Sequence, residues 1–319
     1  MNLAIVGSGK IVCELLSFIH EMKDIHVCAL VGRYQSKDKL EKMAKENHIE
    51  KIYYDIEEAL KDAQIDFFYI ALPNHLHYEY AKKVLLTHKN VICEKPFTST
   101  LKELQDLIKL ALNNNCYLFE AITNQYLPNY KQIKDHLNEI GQTKIVTCNY
   151  SQYSSRYDEF KKGNIHPVFD IQCSGGALYD INLYNIYFVV GLYGKPKEVH
   201  YYPHIENKID TSGIVIMVYD DFVCTCIGAK DCASPIGITI QGEKGYMFLD
   251  DPALSCNHLM IHTNKQTLEY HQDNKHRMFY EFEYFNKIFK NKDRETVKKG
   301  LEKSLIVMEI LDQLNIKRL

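Results

Sequence analysis

The feature that most constrains this chain is the rhythm of residues 1–120. Short apolar runs alternate with stretches whose apolar residues recur every three or four positions. Leu3–Val6 is followed by Ile11, Leu15, Ile19 and Met22, and Ile25–Val31 is followed by Leu40 and Met43. Further strands are expected at Ile52–Tyr53, Asn90–Cys93 and Cys116–Glu120, with helices over Glu57–Lys61, His75–Thr87 and Thr100–Asn113. Ser36 and Asp55 stand where side-chain caps belong. Such alternation predicts a parallel sheet with crossover helices on both faces. Phe67–Leu72 is apolar throughout, as a central strand covered on both sides requires.

Past residue 120 the rhythm changes. Strand-like runs dominate: Lys144–Gln152, Glu198–Tyr202, Gly213–Tyr219, Phe222–Gly228, Gly237–Gln241, Tyr246–Leu249 and Leu259–Thr263. Short turns such as Asp220-Asp221 and Gly242–Gly245 join neighbours, so this sheet should be mainly antiparallel. Helices are expected over Asn129–Ile140, Gly176–Leu192, Met278–Lys290 and Val297–Leu314. A chain of 319 residues is long enough for two domains, here 1–120 (α/β) and 121–319 (α+β).

Composition excludes several classes. The hydrophobic content of 46% is too high for a disordered chain, and a net charge of −3 argues against a nucleic-acid binder. The longest apolar runs fall well short of the ~20 residues a membrane span needs. The N-terminal run lacks a basic region before its apolar stretch, so no export signal is expected. Ten cysteines carry no CxxC pair and no zinc-like spacing with histidine, so neither a disulfide framework nor a metal site is expected. That usage fits a reduced, cytoplasmic protein. Most of the 23 tyrosines should be packing residues.

Gly7-Ser8-Gly9-Lys10-Ile11-Val12 joins the first strand to the first helix. Gly7 permits a tight turn. Gly9 lets a pyrophosphate approach a helix N-terminus, where unpaired N–H groups and the helix dipole favour anions. Gly7, Gly9, Lys10 and Ile11 are therefore candidate cofactor contacts. Val12 departs from the Gly or Ala of the dinucleotide fingerprint. A turn glycine alone, or a loop for S-adenosylmethionine, are the competing readings. At the end of the second strand stand Gly32, Arg33 and Tyr34, with no acid before Asp38. An arginine without a carboxylate suits a 2′-phosphate, so NADP is favoured over NAD; the alternative is a solvated Arg33 stacked on adenine.

Two further segments end central strands: Tyr69-Ile70-Ala71-Leu72-Pro73-Asn74-His75-Leu76-His77 and Cys93-Glu94-Lys95-Pro96-Phe97. Ligands of open parallel sheets bind beyond the carboxyl ends of strands. Leu72, Pro73, Asn74, His77 and Glu94 are therefore expected near the cofactor. With these motifs, with Glu120-Ala121 and with Gly175-Gly176-Ala177-Leu178-Tyr179-Asp180, the chain resembles the glucose–fructose oxidoreductase/inositol dehydrogenase (Gfo/Idh/MocA) family over nearly its whole length. The resemblance implies an NAD(P)-binding Rossmann domain over 1–120. It also implies a substrate-binding and dimerisation domain with a large open antiparallel sheet over 121–319.

Within that resemblance, Lys95 takes the role of a cation that bonds a substrate hydroxyl and stabilises charge as its proton leaves. Asp180 and Tyr184 lie four apart on an expected helix and share a face. Tyr184 occupies a position where many members carry histidine; tyrosine there is the variant of members resembling dimeric dihydrodiol dehydrogenase and glucose–fructose oxidoreductase. A phenol with an ordinary pKa of about 10 is a poor base at neutral pH, and a neighbouring ammonium would lower it. The competing reading of Tyr184 is an ordinary buried tyrosine. The resemblance also points to Tyr153, Arg156 and Tyr157 as substrate contacts, and His166 could reach the site from a loop.

Two departures stand out. Asn182 replaces a usual glycine and is expected to crowd the pocket, and Gln125 replaces a common arginine and is expected to weaken a ligand contact. The expected function is an NAD(P)-dependent dehydrogenase or reductase. It moves a hydride between nicotinamide and a hydroxyl-bearing carbon of a sugar, cyclitol or diol. The expected partners are a small polyol-like substrate and a second copy of the chain, as a homodimer or higher homo-oligomer. The rival reading, motivated by Val12, Gln125 and Asn182, is a cofactor-binding sensor or scaffold without turnover.

Overall fold

The computed structural model describes residues Met1–Asn315. The final four residues of the domain expected over 121–319 lie outside the described residues. The chain divides into two compact units, Met1–Ala121 with Glu281–Leu305, and Ile122–Tyr280 with the C-terminal residues from Ile306. The units do not follow a single cut near residue 120, because Glu281–Leu305 returns to the first.

The first unit holds six parallel strands, β1 (Asn2–Val6), β2 (His26–Val31), β3 (Lys51–Tyr53), β4 (Phe67–Ile70), β5 (Asn90–Glu94) and β6 (Leu118–Ala121), in the order β3-β2-β1-β4-β5-β6. Crossover helices are α1 (Lys10–Phe18), α2 (Lys37–Glu46), α3 (Ile56–Leu60), α4 (His77–Leu86) and α5 (Leu101–Asn113). This is the doubly wound order whose direction reverses between β1 and β4, the place where such sheets bind dinucleotides. Every residue of β4 is buried, as its apolar sequence demands. Asp55 caps α3, accepting from the Glu57 N–H, and Thr100 with Glu103 forms a reciprocal capping box on α5. Ser36 does not cap α2, because it is the last residue of a 3₁₀ turn. The returning segment belongs here through its aromatic rings. Phe285 stacks on Phe119 at 4.6 Å, Phe289 meets Phe67 edge-on at 5.0 Å and Phe282 meets Tyr69 at 5.4 Å.

The second unit begins with α6 (Pro128–His136) and builds an eight-stranded sheet from β7 (Thr143–Ser151), β8 (Glu198–Glu206), β9 (Ile209–Val218), β10 (Val223–Ala229), β11 (Gly237–Gly242), β12 (Gly245–Leu249), β13 (His258–Thr263) and β14 (Thr267–His271). The order is β14-β13-β12-β11-β7-β10-β9-β8, and β7 with β10 is its parallel pair. The sequence reading lacked β14. Its TLEYH stretch is polar and partly exposed, an edge strand defined by pairing with β13 and not by a buried face. The short helix α7 (Tyr157–Lys161) was likewise not expected, and its Tyr157 and Phe160 pack with Phe169 and Ile209.

Along these strands burial alternates. Cys148, Cys224 and Cys226 turn inward, and burial pushes their thiols well above the usual range, so they pack as neutral groups. Helix α8 (Leu183–Tyr193) lies against β7 and β10. Ile145, Val223, Ile214, Tyr202, Tyr246 and Phe248 are exposed large apolar residues on the strands. Among the described residues, no helix is long and apolar enough to cross a membrane.

Candidate functional site

In the first unit the carboxyl ends of β1, β2 and β4 frame a cavity of about 550 Å³, within the range of small-molecule sites. Backbone bonds hold those ends level: the Gly7 N–H donates to Val31 O at 2.9 Å, and the Ala71 N–H to Val6 O at 2.9 Å. Gly7 has φ +124°, and a Cβ there would lie 2.3 Å from the Ala71 carbonyl oxygen. Gly9 caps α1 without a side-chain bond, and a Cβ there would meet nothing within 4 Å. The first N–H groups of α1 lack intrahelical partners, so an open, anion-attracting helix start borders the cavity. Those features fit the pyrophosphate of a dinucleotide.

Of the expected cofactor contacts, Gly7, Gly9, Ile11, Arg33, Leu72 and Pro73 line this cavity. Lys10 does not; its side chain is exposed beside Glu14, 3.9 Å away. Asn74, His77 and Glu94 are also outside the lining. Ser36, Tyr54 and Lys83 line it without having been anticipated. They sit on turns and a helix outside any motif, and only the packing of α2, α3 and α4 brings them round.

His77 is fully buried, and its ring bridges two backbone carbonyls, Pro96 O from Nδ1 and Leu72 O from Nε2, each at 2.8 Å. Burial lowers its pKa, the two carbonyls pull the other way, and Lys95 adds to the lowering. The ring thus ties the end of β4 to the Lys95-Pro96 turn instead of facing the cavity. Glu94 is buried at the end of β5, accepts the Tyr69 hydroxyl and takes the Lys95 N–H at 3.3 Å. Lys95 is half-buried, and the peptide bond to Pro96 is cis. The two motifs are one braced unit that fixes where Lys95 leaves the sheet.

In the second unit, Leu178–Asn182 forms a π-helical turn that runs into α8. Such turns recur at functional sites. Gly176 opens it with φ +101°, and a Cβ there would lie 2.0 Å from Asp210 Oδ1. The buried Asp210 accepts the Leu178 N–H and the Tyr201 hydroxyl, each at 2.6 Å, and burial raises its pKa to about 6. Asp180 is paired with a residue that sequence reasoning missed, Lys230. Its Nζ donates to Asp180 Oδ2 and Val168 O, both at 2.7 Å, and lies 4.4 Å from the Phe169 ring centre. Lys230 is only 3% exposed, and a lysine is seldom buried without such partners. No motif carries it; an isolated lysine ending a strand gives no signal of burial.

Around the same carboxylate stands His166. Burial, then the charges of Arg156 and Lys230, hold its pKa below the ordinary value, while Asp180 raises it. Tyr184 is buried, its carbonyl accepts from Asn124 Nδ2 at 2.8 Å, and its ring lies 6.4 Å from that of Tyr150. Tyr157 is packed in a core cluster with its hydroxyl on Glu206, and Tyr153 is exposed and bonded to Asp158. Neither shows a feature that marks it for substrate.

The departures have structural accounts. Asn182 does not intrude on a pocket. It is fully buried against Gly228, donates to Cys226 O at 2.9 Å and accepts from Asn185 at 2.9 Å. Gln125 donates to Tyr187 O at 2.9 Å, so it braces α8. Val12 is fully buried core.

The model of the Gfo/Idh/MocA oxidoreductase family, NAD-binding Rossmann fold, matches residues 1–122. The chain is 32% identical to scyllo-inositol 2-dehydrogenase (NADP(+)) IolU of Bacillus subtilis, over 98% of this chain and 95% of that protein. It is 24% identical to trans-1,2-dihydrobenzene-1,2-diol dehydrogenase of Xenopus tropicalis, over 97% of this chain and 95% of that one. Its fold matches the crystal structure of KijD10, a 3-ketoreductase from Actinomadura kijaniata in complex with NADP. There the TM-score is 0.82 at 16% identity, covering 98% of this chain and 96% of that one. The chain belongs to the Gfo/Idh/MocA oxidoreductase family and is a nicotinamide-dependent oxidoreductase.

Proposed function

We propose that this enzyme transfers a hydride between NADP(H), used in preference to NAD(H), and a hydroxyl-bearing carbon of a cyclitol, diol or sugar. Arg33 carries the cofactor preference: it lines the cavity just past β2, and the carboxylate in that lining, Asp55, is engaged in capping α3 through the Glu57 N–H. The inositol and diol dehydrogenase activities in the names of the relatives support the substrate class.

When bound, the cofactor supplies the hydride-accepting ring. The residues of this chain do the rest. The backbone of Gly7–Ile11 holds the pyrophosphate. Tyr184 takes the hydroxyl proton as the carbon loses its hydride, and the Lys95 ammonium stabilises negative charge on the substrate oxygen. Asp180, held by Lys230, orients the site. The second unit supplies substrate contacts and, through the exposed apolar residues of its sheet, the face for a second copy of the chain. A cytoplasmic setting fits the free state of all ten cysteines.

A screen of inositols, diols, aldoses and polyols with both nicotinamides tests the reading. Turnover with NADPH or NADP⁺ is expected, with Arg33→Ala narrowing the preference over NADH by ~10-fold or more. A protein that binds neither reduced cofactor in a fluorescence titration would end the proposal. Light scattering reading one chain per particle would remove the dimer.

A further inference from the structure

We propose that the outer hairpin of the second unit carries a site for a divalent transition-metal ion of the zinc class, formed by His258, His271 and Glu269. The pairing of β13 with β14 sets His258 directly opposite His271, and Glu269 lies two residues before His271 on the same face. One ligand atom from each of the three residues lies within 4.8 Å of the other two. Two imidazoles and one carboxylate form a donor set suited to zinc, with water completing a tetrahedron. Zinc bonds of about 2.1 Å require ligand atoms roughly 3.4 Å apart. Glu269 and His271 are exposed, so their side chains are free to close that gap.

Two further observations point to a ligand. His258 Nε2 is buried and has no hydrogen-bond partner among the described residues; its nearest carboxylate oxygen, on Glu269, is 3.9 Å away. The other ring nitrogen, Nδ1, lies 3.2 Å from Asp250 Oδ2. A carboxylate on the far nitrogen fixes the tautomer of a metal-binding histidine and leaves Nε2 as the ligand atom. The loop before β13 is braced for this: Asp251 accepts the N–H groups of Asn257 and His258 at 3.0 and 3.2 Å. The rings of His258 and His271 stack in parallel at 4.5 Å, which sets both imidazoles side by side. Ion pairing accounts for the contact with Asp250, whereas Glu269 stands beyond hydrogen-bond distance of Nε2 and leaves its lone pair unused.

The test is a calorimetric titration of the chelator-treated full chain with Zn²⁺ alone, followed by thermal melting with and without the ion. One Zn²⁺ per chain and a higher melting temperature are expected. His258→Ala and His271→Ala should each weaken binding by more than ~10-fold, and Asp250→Asn by ~10-fold through its orienting role. All three variants should keep NADPH affinity, which reads the first unit and shows that the chain is folded. Absence of binding overturns the proposal. So does Zn²⁺ affinity unchanged in the His258→Ala/His271→Ala double variant, or equal competition by Mg²⁺, which would mark a loose carboxylate site.

Discussion

Two helix starts in this molecule use the same device for opposite ends. At the glycine loop, Gly7 makes the turn and Gly9 leaves the start of α1 bare, with open space where a side chain would stand. At Gly176, the turn is as tight, but the helix start is already filled by the Asp210 carboxylate, whose oxygen is 2.6 Å from the Leu178 nitrogen. Both ends attract negative charge, because the first N–H groups of a helix are unsatisfied and its dipole is positive there. The first unit leaves that attraction for a ligand. The second consumes it internally and presents side chains beyond the turn, Asp180 and Tyr184. A glycine-rich helix start thus identifies a binding site only when nothing in the fold already answers it.

The contrast is sharpest in turnover. Tyr184→Phe should lower kcat by ~10² to 10⁴, the usual contribution of a proton-transfer group, while NADPH affinity stays unchanged. If NADPH affinity fell and kcat held, the assignment of the open helix start to binding and of Tyr184 to proton transfer would be wrong. The glycine loop should behave in reverse. Gly7→Ala places a Cβ against a carbonyl at a positive φ, and ~3 kcal/mol or more of strain should appear as a lower melting temperature and lost NADPH binding. Gly9→Ala meets no neighbour, so the melt should hold while binding weakens. Equal melting losses for both would mean that Gly9 serves the fold alone.

Lys230→Met should come next. It removes the cation within 2.7 Å of Asp180 and should cost roughly 1–3 kcal/mol, because the carboxylate is only partly buried. The turnover–pH profile should shift as well, a change that simple loss of packing would not produce. The smallest effect concerns Asp210. Its pKa of about 6 exceeds the unfolded value of about 4. Between those pH values the folded chain keeps a proton that the unfolded chain releases, so this group's contribution to stability falls as pH rises through the window. Chemical denaturation of Asp210→Asn from pH 4 to 6 should show a flatter dependence than the parent chain. An unchanged slope would mean that the carboxylate answering the Gly176 turn is already ionised below that window.

Legibility in the sequence followed the range of the forces involved. The parallel sheet, its glycine loop and the ends of β4 and β5 were readable because period, turn glycines and strand-end motifs are local properties. That Arg33 stands at the cavity was readable for the same reason, as it lies two residues past the end of β2. His77 was read as a cofactor contact because its motif ends a strand; its actual bonds run to Leu72 and to Pro96, 19 residues on, and only packing reveals that. Asn182 looked like an intrusion because the sequence cannot say that the π-helical turn before α8 packs on β10. Lys230 lies 50 residues from its partner Asp180, and no spacing rule reaches that far.

The sequence alone therefore determined the fold class, the dinucleotide loop and the family, since each rests on patterns that a few neighbouring residues establish. Tertiary structure decided which helix start stays open, which segment returns to the first unit, and which side chains converge. His258 and His271 show why. Their spacing of 13 positions matches no zinc motif, yet the hairpin register places them face to face. Strand pairing turns distance along the chain into contact, and the energy that selects the register is spread over the whole sheet.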